Sequence, residues 1–359
     1  MHKYWIALSS IEELSSSFIQ RLYNYFGDIE RAYNANDLSG IDGLSVKKAE
    51  KFLRLRDKVD PDKALQLVVE RGVKYLTFDD EKYPQMLKNI DDAPSVLYYK
   101  GDLFDCNLDR TLAVVGSRRA TSYAKDALSK IISELNGTDI CVVSGLASGI
   151  DTTAHVSALD NGLKTIGVIA SGFDFTYPAS NKELYKRIED GNGAVVSEYY
   201  PTFEPLKFRF PQRNRIVSGL SYGTLVAEAS LKSGALITSN LTLEQGRELM
   251  CIPGLITNPN TEGIYKLLKN GATLVTCAED VLEALGWEVK IEQKTLFELD
   301  LSEDEKLIYD ALEIEDKCVD ELQAFTRLGI NDLLTYLTTM ELKGIIKQVD
   351  GDRYRKISV

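Results

Sequence analysis

The chain has 359 residues, of which 44% are hydrophobic and 27% are charged, which is the composition of a soluble globular protein with two or three domains. Its net charge of −12 excludes a uniformly basic surface, but nucleic-acid binding needs only a local cluster of cations. Two histidines and five scattered cysteines without a C-x-x-C pair offer no structural zinc site, and we expect no metal and no cofactor. No apolar run approaches the roughly 20 residues of a membrane span, so we expect a cytoplasmic protein without a membrane partner.

Residues 1–65 have the helical spacing of a small domain of the SAM or helix-hairpin-helix type. Helices are predicted over Ile11–Phe26 and Ser45–Val59, and the Gly40-Ile41-Asp42-Gly43 turn lies between them. This turn resembles a helix-hairpin-helix element, in which turn amides meet a DNA phosphate. The second helix carries six cations against Glu50 and Asp57, namely Lys47, Lys48, Lys51, Arg54, Arg56 and Lys58. We favour a solvated basic helix over a DNA contact here, because short glycine turns are common.

Residues 66–287 alternate between short apolar runs and amphipathic helical stretches. Strands are predicted at Leu112–Val115, Ile140–Val143, Thr165–Ile169, Ala194–Ser197, Thr224–Ala227, Leu249–Ile252 and Thr273–Thr276. Helical stretches such as Tyr123–Leu135, Thr152–Asn161 and Gly234–Arg247 separate them. This alternation predicts a Rossmann-like α/β core with a doubly wound, mostly parallel sheet.

An acidic linker is predicted over residues 288–301, followed by a winged-helix domain over 302–359. The elements are helices at Ser302–Leu312, Cys318–Phe325 and Asn331–Leu342, and a hairpin of Ile345–Val349 and Tyr354–Ile357 turned at Asp350-Gly351. The third helix has Asp332 and Glu341 and no cation before Lys343, unlike a major-groove reader. We therefore favour a protein-interaction or regulatory module. A sequence-specific repressor remains an alternative, and truncation after Leu299 would abolish its duplex binding.

Ligands of open α/β sheets bind beyond the carboxyl ends of the strands, so the turns there are the candidate site. Gly116-Ser117-Arg118 follows the first predicted strand, and Ser144-Gly145 follows the second. Glycine amides, a hydroxyl and a guanidinium together suit a phosphate. Further along, Pro205–Arg215 contains Lys207, Arg209, Arg213 and Arg215, no acid, and two aromatic residues. Cations interleaved with rings suit a single strand, whose unpaired bases stack on aromatic side chains. In the alternative, Phe208 and Phe210 lie in the core and the arginines form a solvated face.

A series of motifs resembles the DNA-processing protein A family, also called DprA or Smf, over about residues 66–285. The series is Gly116-Ser117-Arg118, Ser144-Gly145-Leu146-Ala147, Gly149-Ile150-Asp151, Tyr177-Pro178, Ser197-Glu198-Tyr199, Phe210-Pro211, Arg213-Asn214-Arg215, Ser233–Thr238, Glu244–Glu248 and Pro253-Gly254. The resemblance implies a non-catalytic bacterial protein that binds and protects single-stranded DNA in natural transformation and loads the RecA recombinase onto it. It also implies a homodimer formed through the Rossmann-like core.

Carried over by motif, the resemblance implies roles for ten residues. Arg118 and Lys207 would hold phosphates, and Phe210 would offer a stacking face. Gly116, Ser117, Ser144 and Gly145 would shape the pocket and donate to the DNA backbone, and Arg213, Asn214 and Arg215 would support it. One departure is Tyr265, which stands where the family has an asparagine. We expect it to affect a local loop or the oligomer contact rather than the DNA pocket.

The competing hypothesis is an enzyme. Gly223-Thr224-Leu225-Val226-Ala227-Glu228 resembles part of the motif of the nucleotide phosphoribohydrolases, in which Glu228 would assist glycosidic cleavage. The paired glycines before Thr224 are missing and the Thr–Glu spacing differs, so a structural role for Glu228 at a strand end is favoured. His155 is likewise interpreted as a buried structural residue, because no acid–base partner follows it.

Overall fold

The computed structural model describes residues 2–191, 193–287, 301–312, 316–349 and 353–356. Two compact units divide the chain, Met1–Lys290 and Ile291–Val359. The first contains both the N-terminal helices and the α/β segment. None of the helices in the described ranges combines the length and apolarity that crossing a bilayer demands.

Five helices occupy the N-terminal part of the first unit. They are His2–Ser9 (α1), Ser16–Phe26 (α2), Ile29–Asn34 (α3), Val46–Arg56 (α4) and Pro61–Glu70 (α5). Helix α2 begins where the Ser15 side chain accepts a hydrogen bond from the Phe18 amide, and it ends at Gly27 in the left-handed conformation. Helix α5 runs through the domain boundary predicted between residues 65 and 66. It begins at Pro61, capped by Asp60, which explains why its first turn is well defined.

The remainder of the first unit alternates strands and helices. The strands are Lys74–Thr77 (β1), Val96–Gly101 (β2), Thr111–Gly116 (β3), Cys141–Ser144 (β4), Lys164–Val168 (β5), Gly193–Ser197 (β6), Gly223–Glu228 (β7), Glu248–Cys251 (β8) and Thr273–Leu274 (β9). The helices are Gln85–Lys88 (α6), Ser122–Glu134 (α7), Ile150–Asp160 (α8), Lys182–Glu189 (α9), Arg209–Gly219 (α10), Ala235–Glu244 (α11), Glu262–Lys269 (α12) and Ala278–Ala284 (α13). Short 3₁₀ turns lie at Ala179–Asn181 and Pro259–Thr261.

The strands form one large, mostly parallel sheet with the order β1-β2-β6-β5-β4-β3-β7-β8-β9. The pairings β1–β2 and β2–β6 are antiparallel, and the other pairings are parallel. From β3 the chain winds outward through β4, β5 and β6, and then returns to β7 on the other side of β3. The order in which strands are added to the sheet therefore changes direction between the parallel strands β3 and β7. Open α/β sheets have a crevice for a ligand at such a switch point. The predicted mixed α/β class with a large parallel sheet is confirmed.

Both faces of the sheet are covered, as the apolar strands predicted. Along β3, Leu112 and Val114 belong to one hydrophobic cluster, whereas Ala113 and Val115 belong to another. Successive side chains of a strand point to opposite faces, so these two clusters are the two cores that sandwich the sheet.

Strand β2 ties the N-terminal helices to the sheet. Tyr98 of β2 is fully buried in the same hydrophobic cluster as Trp5 and Leu22. Its hydroxyl lies 2.6 Å from the Ser9 Oγ. Neither β1 nor β2 was among the predicted strands, because their antiparallel pairing breaks the strand–helix alternation.

The second unit has its own small core. Its elements are Glu303–Ala311 (α14), Lys317–Cys318 (β10), Val319–Thr326 (α15), Ile330–Leu342 (α16), Ile346–Gln348 (β11) and Arg353–Lys356 (β12), with the strands in the order β10-β12-β11. Buried Ile308, Leu322 and Leu337 bring the three helices together. The predicted Asp350-Gly351 turn and the linker over 288–300 lie outside the described residues. The assignment as a winged helix stays a prediction.

Candidate nucleic-acid interface

An open polar cavity of about 570 Å³ lies at the switch point of the strand order, between β3 and β7. Turns at the carboxyl ends of β3, β4 and β7 form its walls, together with one face of α10 and the start of α11. Helix α11 begins at Ala235, which lines the cavity. The positive end of the helix dipole therefore lies at the cavity wall. The lining residues are Val115, Gly116, Ser117, Arg118, Arg119, Gly145, Ala147, Asp151, Arg213, Asn214, Val217, Ser230, Ser233, Gly234, Ala235, Thr238 and Asn260.

Two glycines allow the first two turns to meet. Gly149 has φ +84°, and a β-carbon at this position would overlap the backbone of Ser117 and Arg118. The adjacent Ile150 amide donates to the Ser117 carbonyl at 3.1 Å. At Gly145, a β-carbon would collide with the guanidinium of Arg213. Close backbone approach therefore requires glycine at position 149, whereas the missing side chain at Gly145 leaves room for the Arg213 guanidinium.

Arg118 is exposed on the cavity rim beside an aromatic pair. Its Cζ lies 5.5 Å from the ring centroid of Phe210, and that ring meets Tyr177 edge to face at 5.2 Å. Within the described ranges, Arg118 has no carboxylate partner. A guanidinium held against a ring keeps its outer N–H donors available for a phosphate, while the ring still offers surface to a base.

Arg213 lines the cavity but is directed inward. It is only 4% exposed, and its guanidinium donates to the carbonyl oxygens of Gly145 and Val168. Burial lowers the pKa of Arg213 below its ordinary value, although nearby Asp151 opposes this shift. Its donors hold the β4 and β5 ends together, so Arg213 positions the cavity wall.

Arg215 lies away from the cavity and pairs with carboxylates. Its guanidinium makes two 2.7 Å hydrogen bonds to Glu198 and one of 2.8 Å to Asp92. Burial on its own would lower the pKa of Arg215, but these carboxylates raise it above its ordinary value. The alternative of a solvated arginine face is not what the structure has at Arg209, Arg213 and Arg215, since all three are buried.

Of the other predicted residues, some line the cavity and others lie outside its lining. Asn214 lines the cavity and accepts from the Arg213 Nε at 3.2 Å, and Ser117 lines it while its Oγ accepts from the Arg119 amide. Ser144 is fully buried, and its hydroxyl donates to the Val114 carbonyl at 2.6 Å. Lys207 is exposed just before α10 and outside the lining, with no hydrogen bond or ion pair in the described ranges.

Asp151 is the one acidic residue among those that line the cavity. It is 8% exposed and accepts from the Ala147 amide at 3.3 Å. Burial raises its pKa above the ordinary value of an aspartate, and the charges of Arg213 and Arg118 only partly offset this effect. The carboxyl group therefore takes up a proton more readily than an exposed one.

The far wall of the cavity was not among the predicted site residues, although Ser233 and Thr238 belong to the motif Ser233–Thr238. Ser230 and Ser233 follow β7, and Thr238 lies in the first turn of α11. The rule that ligands bind beyond strand ends applied to β7 as much as to β3 and β4, so these residues were within its reach. Asn260 belongs to a distant 3₁₀ turn, and no local pattern indicates it.

Glu228 is buried and hydrogen-bonded to a neighbouring turn, as expected of a structural residue. It is 1% exposed at the end of β7, where its carboxylate accepts from the Thr121 hydroxyl at 2.8 Å and from the Thr121 amide at 3.3 Å. The β3–β7 register shifts after Val115, which places Gly116 opposite Glu228. His155 is also fully buried; its Nδ1 lies 2.7 Å from the Thr165 Oγ1, and burial lowers its pKa to about 3. Neither residue lines the cavity.

Comparison with known proteins identifies the family. The model of the family described as DNA recombination-mediator protein A matches residues 74–286. The DNA processing protein DprA of Streptococcus pneumoniae is 39% identical over 269 residues, which cover 75% of this chain and 93% of that protein. This chain belongs to the DNA processing protein A family.

Other family members match over nearly the whole chain. Protein Smf of Escherichia coli is 33% identical over 98% of this chain and 95% of its own length. The crystal structure of DNA processing protein A from S. pneumoniae superposes with a TM-score of 0.72 at 36% identity, covering 80% of this chain and 99% of that one. The Helicobacter pylori protein, whose structure is described for its single-stranded DNA binding mode, gives a TM-score of 0.53 at 30% identity over 59% of this chain and 95% of its own.

Within this family member, Tyr265 takes a place in a turn contact. Its hydroxyl donates to the Gly254 carbonyl, which links α12 to the loop after β8. Tyr265 does not line the cavity. The expectation that it affects a local loop agrees with this contact, and its effect on an oligomer contact stays a prediction.

Proposed function

We propose that this DprA-family protein binds single-stranded DNA across the carboxyl ends of β3, β4 and β7. The observation that carries the proposal is the position of Arg118 on the rim of the polar cavity, against the ring of Phe210. One unpaired cation and one aromatic face side by side supply the two contacts that an unpaired nucleotide needs, phosphate binding and base stacking. The H. pylori relative, a single-stranded DNA binder by its description, supports the same ligand class.

We assign the role of each residue from its exposure to solvent. Arg118 and Lys207, both exposed, hold phosphates, and Phe210 offers a stacking surface. Gly116, Ser117 and Gly145 shape the cradle and provide amide donors. Arg213, Asn214 and Arg215 support it from within, and the buried Ser144 hydroxyl ties β4 to β3. Because no side chain in this set reads base edges in a fixed register, binding is independent of sequence.

The protein acts in this proposal by binding and not by catalysis. The hydrogen bonds from Thr121 to Glu228 and the burial of that carboxylate support a structural role for it. Incubation with nucleoside monophosphates should release no free base. Base release that disappears in Glu228→Gln would establish the phosphoribohydrolase alternative instead.

Membership of the family supports a proposal for the cellular role. We propose that the protein is cytoplasmic, protects DNA strands during natural transformation and hands them to RecA as a homodimer. Exposed Ile237, Leu243 and Leu274 near the β9 edge of the sheet support a second copy docking there. The C-terminal unit, assigned as a winged helix, is proposed as a protein-interaction module, because Phe325 and Leu334 are exposed.

The test measures fluorescence anisotropy with matched single- and double-stranded oligonucleotides over a salt series. We expect a marked preference for the single strand. Arg118→Ala should weaken single-strand binding by about 1.5–3 kcal/mol, the contribution of a hydrogen bond to a charged group. It should also flatten the plot of log affinity against log salt by about 0.7.

Arg187→Ala is the matched control. Arg187 is an exposed arginine on α9 that pairs with Asp160 and lies outside the cavity, so its loss should leave binding unchanged. Equal affinity for duplex and single strand, or equal effects of the two substitutions, would overturn the proposal.

A further inference from the structure

A stripe of cations runs along the exposed face of helix α4, far in sequence from the cavity. Lys47, Lys51, Arg54 and Lys58 follow the spacing i, i+4, i+7 and i+11, which places them on one side of the helix and its continuation. All four are exposed. We call them the α4 cationic face.

These cations gather on one face of an acidic molecule. Some other surface cations meet carboxylates, as in Lys3–Asp62, Lys130–Glu134, Lys186–Glu183 and Arg187–Asp160. In the described ranges none of the four residues of the α4 cationic face has such a partner. Glu50 borders the stripe without forming an ion pair, and Asp57 is bound to Arg56. Four unpaired cations on one face produce a local positive potential despite the net charge of −12.

The stability of the helix does not depend on these cations. Phe52 is 1% exposed and packs in the N-terminal core. Arg56, on the buried side, donates to the Tyr33 carbonyl at 2.6 Å and to the Ala35 carbonyl at 2.8 Å. Phe52 and Arg56 anchor α4 from beneath, so the exposed cations are held in place on a fixed support.

The N-terminus of α4 adds a partial positive charge beside the α4 cationic face. Ser45 at the N-cap makes no side-chain hydrogen bond to the first-turn amides, which leaves the helix end uncapped by a side chain.

We propose that the α4 cationic face is a second DNA-binding surface, which holds the phosphate backbone of strand that continues beyond the cavity. Evenly spaced cations beside a helix end that no side chain caps match the charge of a phosphodiester chain. Lysine ammonium groups act as point charges and read no base, so this surface is indifferent to sequence. The ligand is taken from the proposed function, but the surface is separate from the cavity.

The experiment replaces all four residues of the α4 cationic face by glutamine in the full chain and measures anisotropy with a length series of oligonucleotides. Glutamine keeps helix propensity similar to that of lysine and arginine. For long single strands, the salt slope should fall by about 2–3, because each lost phosphate contact removes about 0.7. For the shortest oligonucleotides that still bind the cavity, affinity should be unchanged.

A control of matched charge change replaces four exposed lysines on α7 and α12 by glutamine, namely Lys125, Lys130, Lys266 and Lys269. It should leave the slope for long strands within about 0.5 of wild type, less than one phosphate contact. Arg118→Ala separates the two proposals. If Arg118→Ala has no effect while the α4 variant loses affinity, the cavity proposal fails and this one stands. If the α4 variant matches wild type at every length, this proposal is wrong. Loss of duplex binding alone would also overturn it.

A second measurement uses the unaltered protein. Acetylation of lysines by an N-hydroxysuccinimide ester should slow at Lys47, Lys51 and Lys58 when a long single strand is bound. Lys125 and Lys269 should react at the same rate with and without DNA. Equal reactivity of the three α4 lysines in the free and bound states would contradict the proposal.

Discussion

The guanidinium of Arg118 lies over the ring of Phe210, with 5.5 Å between the Arg118 Cζ and the ring centroid. The two residues belong to separate segments, the turn after β3 and the start of α10. Their contact joins the cation and the aromatic surface into one unit at the cavity rim.

Phe210→Ala should weaken single-strand binding by about 1–3 kcal/mol, because a stacking surface is lost. Phe208 provides the comparison. It lies two residues away, is 57% exposed, and its ring contacts Arg209 instead of Arg118. Phe208→Ala should therefore leave binding close to wild type, and Phe210→Trp should retain it. The same loss in both alanine variants would indicate a disturbed segment and no stacking at Phe210.

Arg213→Met should destabilise the fold, since it leaves the Gly145 and Val168 carbonyls without their charged donor. We expect the free energy of unfolding in urea to fall by about 2–3 kcal/mol. Arg118→Ala, at an exposed position, should leave it unchanged. A fully stable Arg213→Met protein that no longer binds DNA would instead assign Arg213 a direct contact.

Arg215→Ala should cost more than Arg213→Met, because it leaves Glu198 buried and unpaired. The Glu198 side chain is 10% exposed, and breaking a buried ion pair of this kind costs about 3–5 kcal/mol. The double variant Arg215→Met with Glu198→Met should recover part of this loss in a double-mutant cycle. Additive losses would show that the pair has no mutual interaction.

Asp151 should make DNA binding depend on pH. Its pKa is raised in the folded protein, so protonation removes a negative charge from the cavity at a higher pH than for an ordinary aspartate. Affinity for a single strand, measured from about pH 7 to about pH 5, should rise as the pH falls, because the raised pKa brings protonation of Asp151 closer to neutral pH. His155 does not titrate in this range, because its pKa is about 3.

The variant Asp151→Asn checks this assignment by two measurements. Its affinity should be high and flat over the same pH range. Because the raised pKa makes the charged form unfavourable in the folded state, Asp151→Asn should also raise the melting temperature at pH 7, and the gain should vanish below the unfolded pKa. A wild-type affinity that falls with decreasing pH would rule out this role for Asp151.

The central sheet was predictable because its strands are apolar on both faces. Runs such as Leu112–Val115 and Thr224–Ala227 lie within β3 and β7, and the strand-end rule led to Arg118 and Gly145. Strands β1 and β2 were not predicted, since the antiparallel pairing of β1 with β2 and of β2 with β6 lies outside the strand–helix alternation that identified the other strands.

The arginines of α10 show why the rest of the site was beyond sequence reasoning. As a pattern, Arg209, Arg213 and Arg215 are part of one basic cluster. In the fold all three are buried, and each has different hydrogen-bond partners. The partners of Arg213 are backbone carbonyls, which cannot be identified from residue types. The inclusion of Asn260 depends on the packing of a distant turn in the same way.

The contact of Gly149 with the Ser117–Arg118 backbone has a consequence for synthesis of the chain. The cavity exists only when the turns after β3, β4 and β7 and helix α10 have all come together. A ribosome-bound or truncated product ending before β7 would carry Arg118 without a cradle around it. DNA binding in the cavity therefore requires the completed central sheet, and we expect prematurely terminated chains not to hold single strands there.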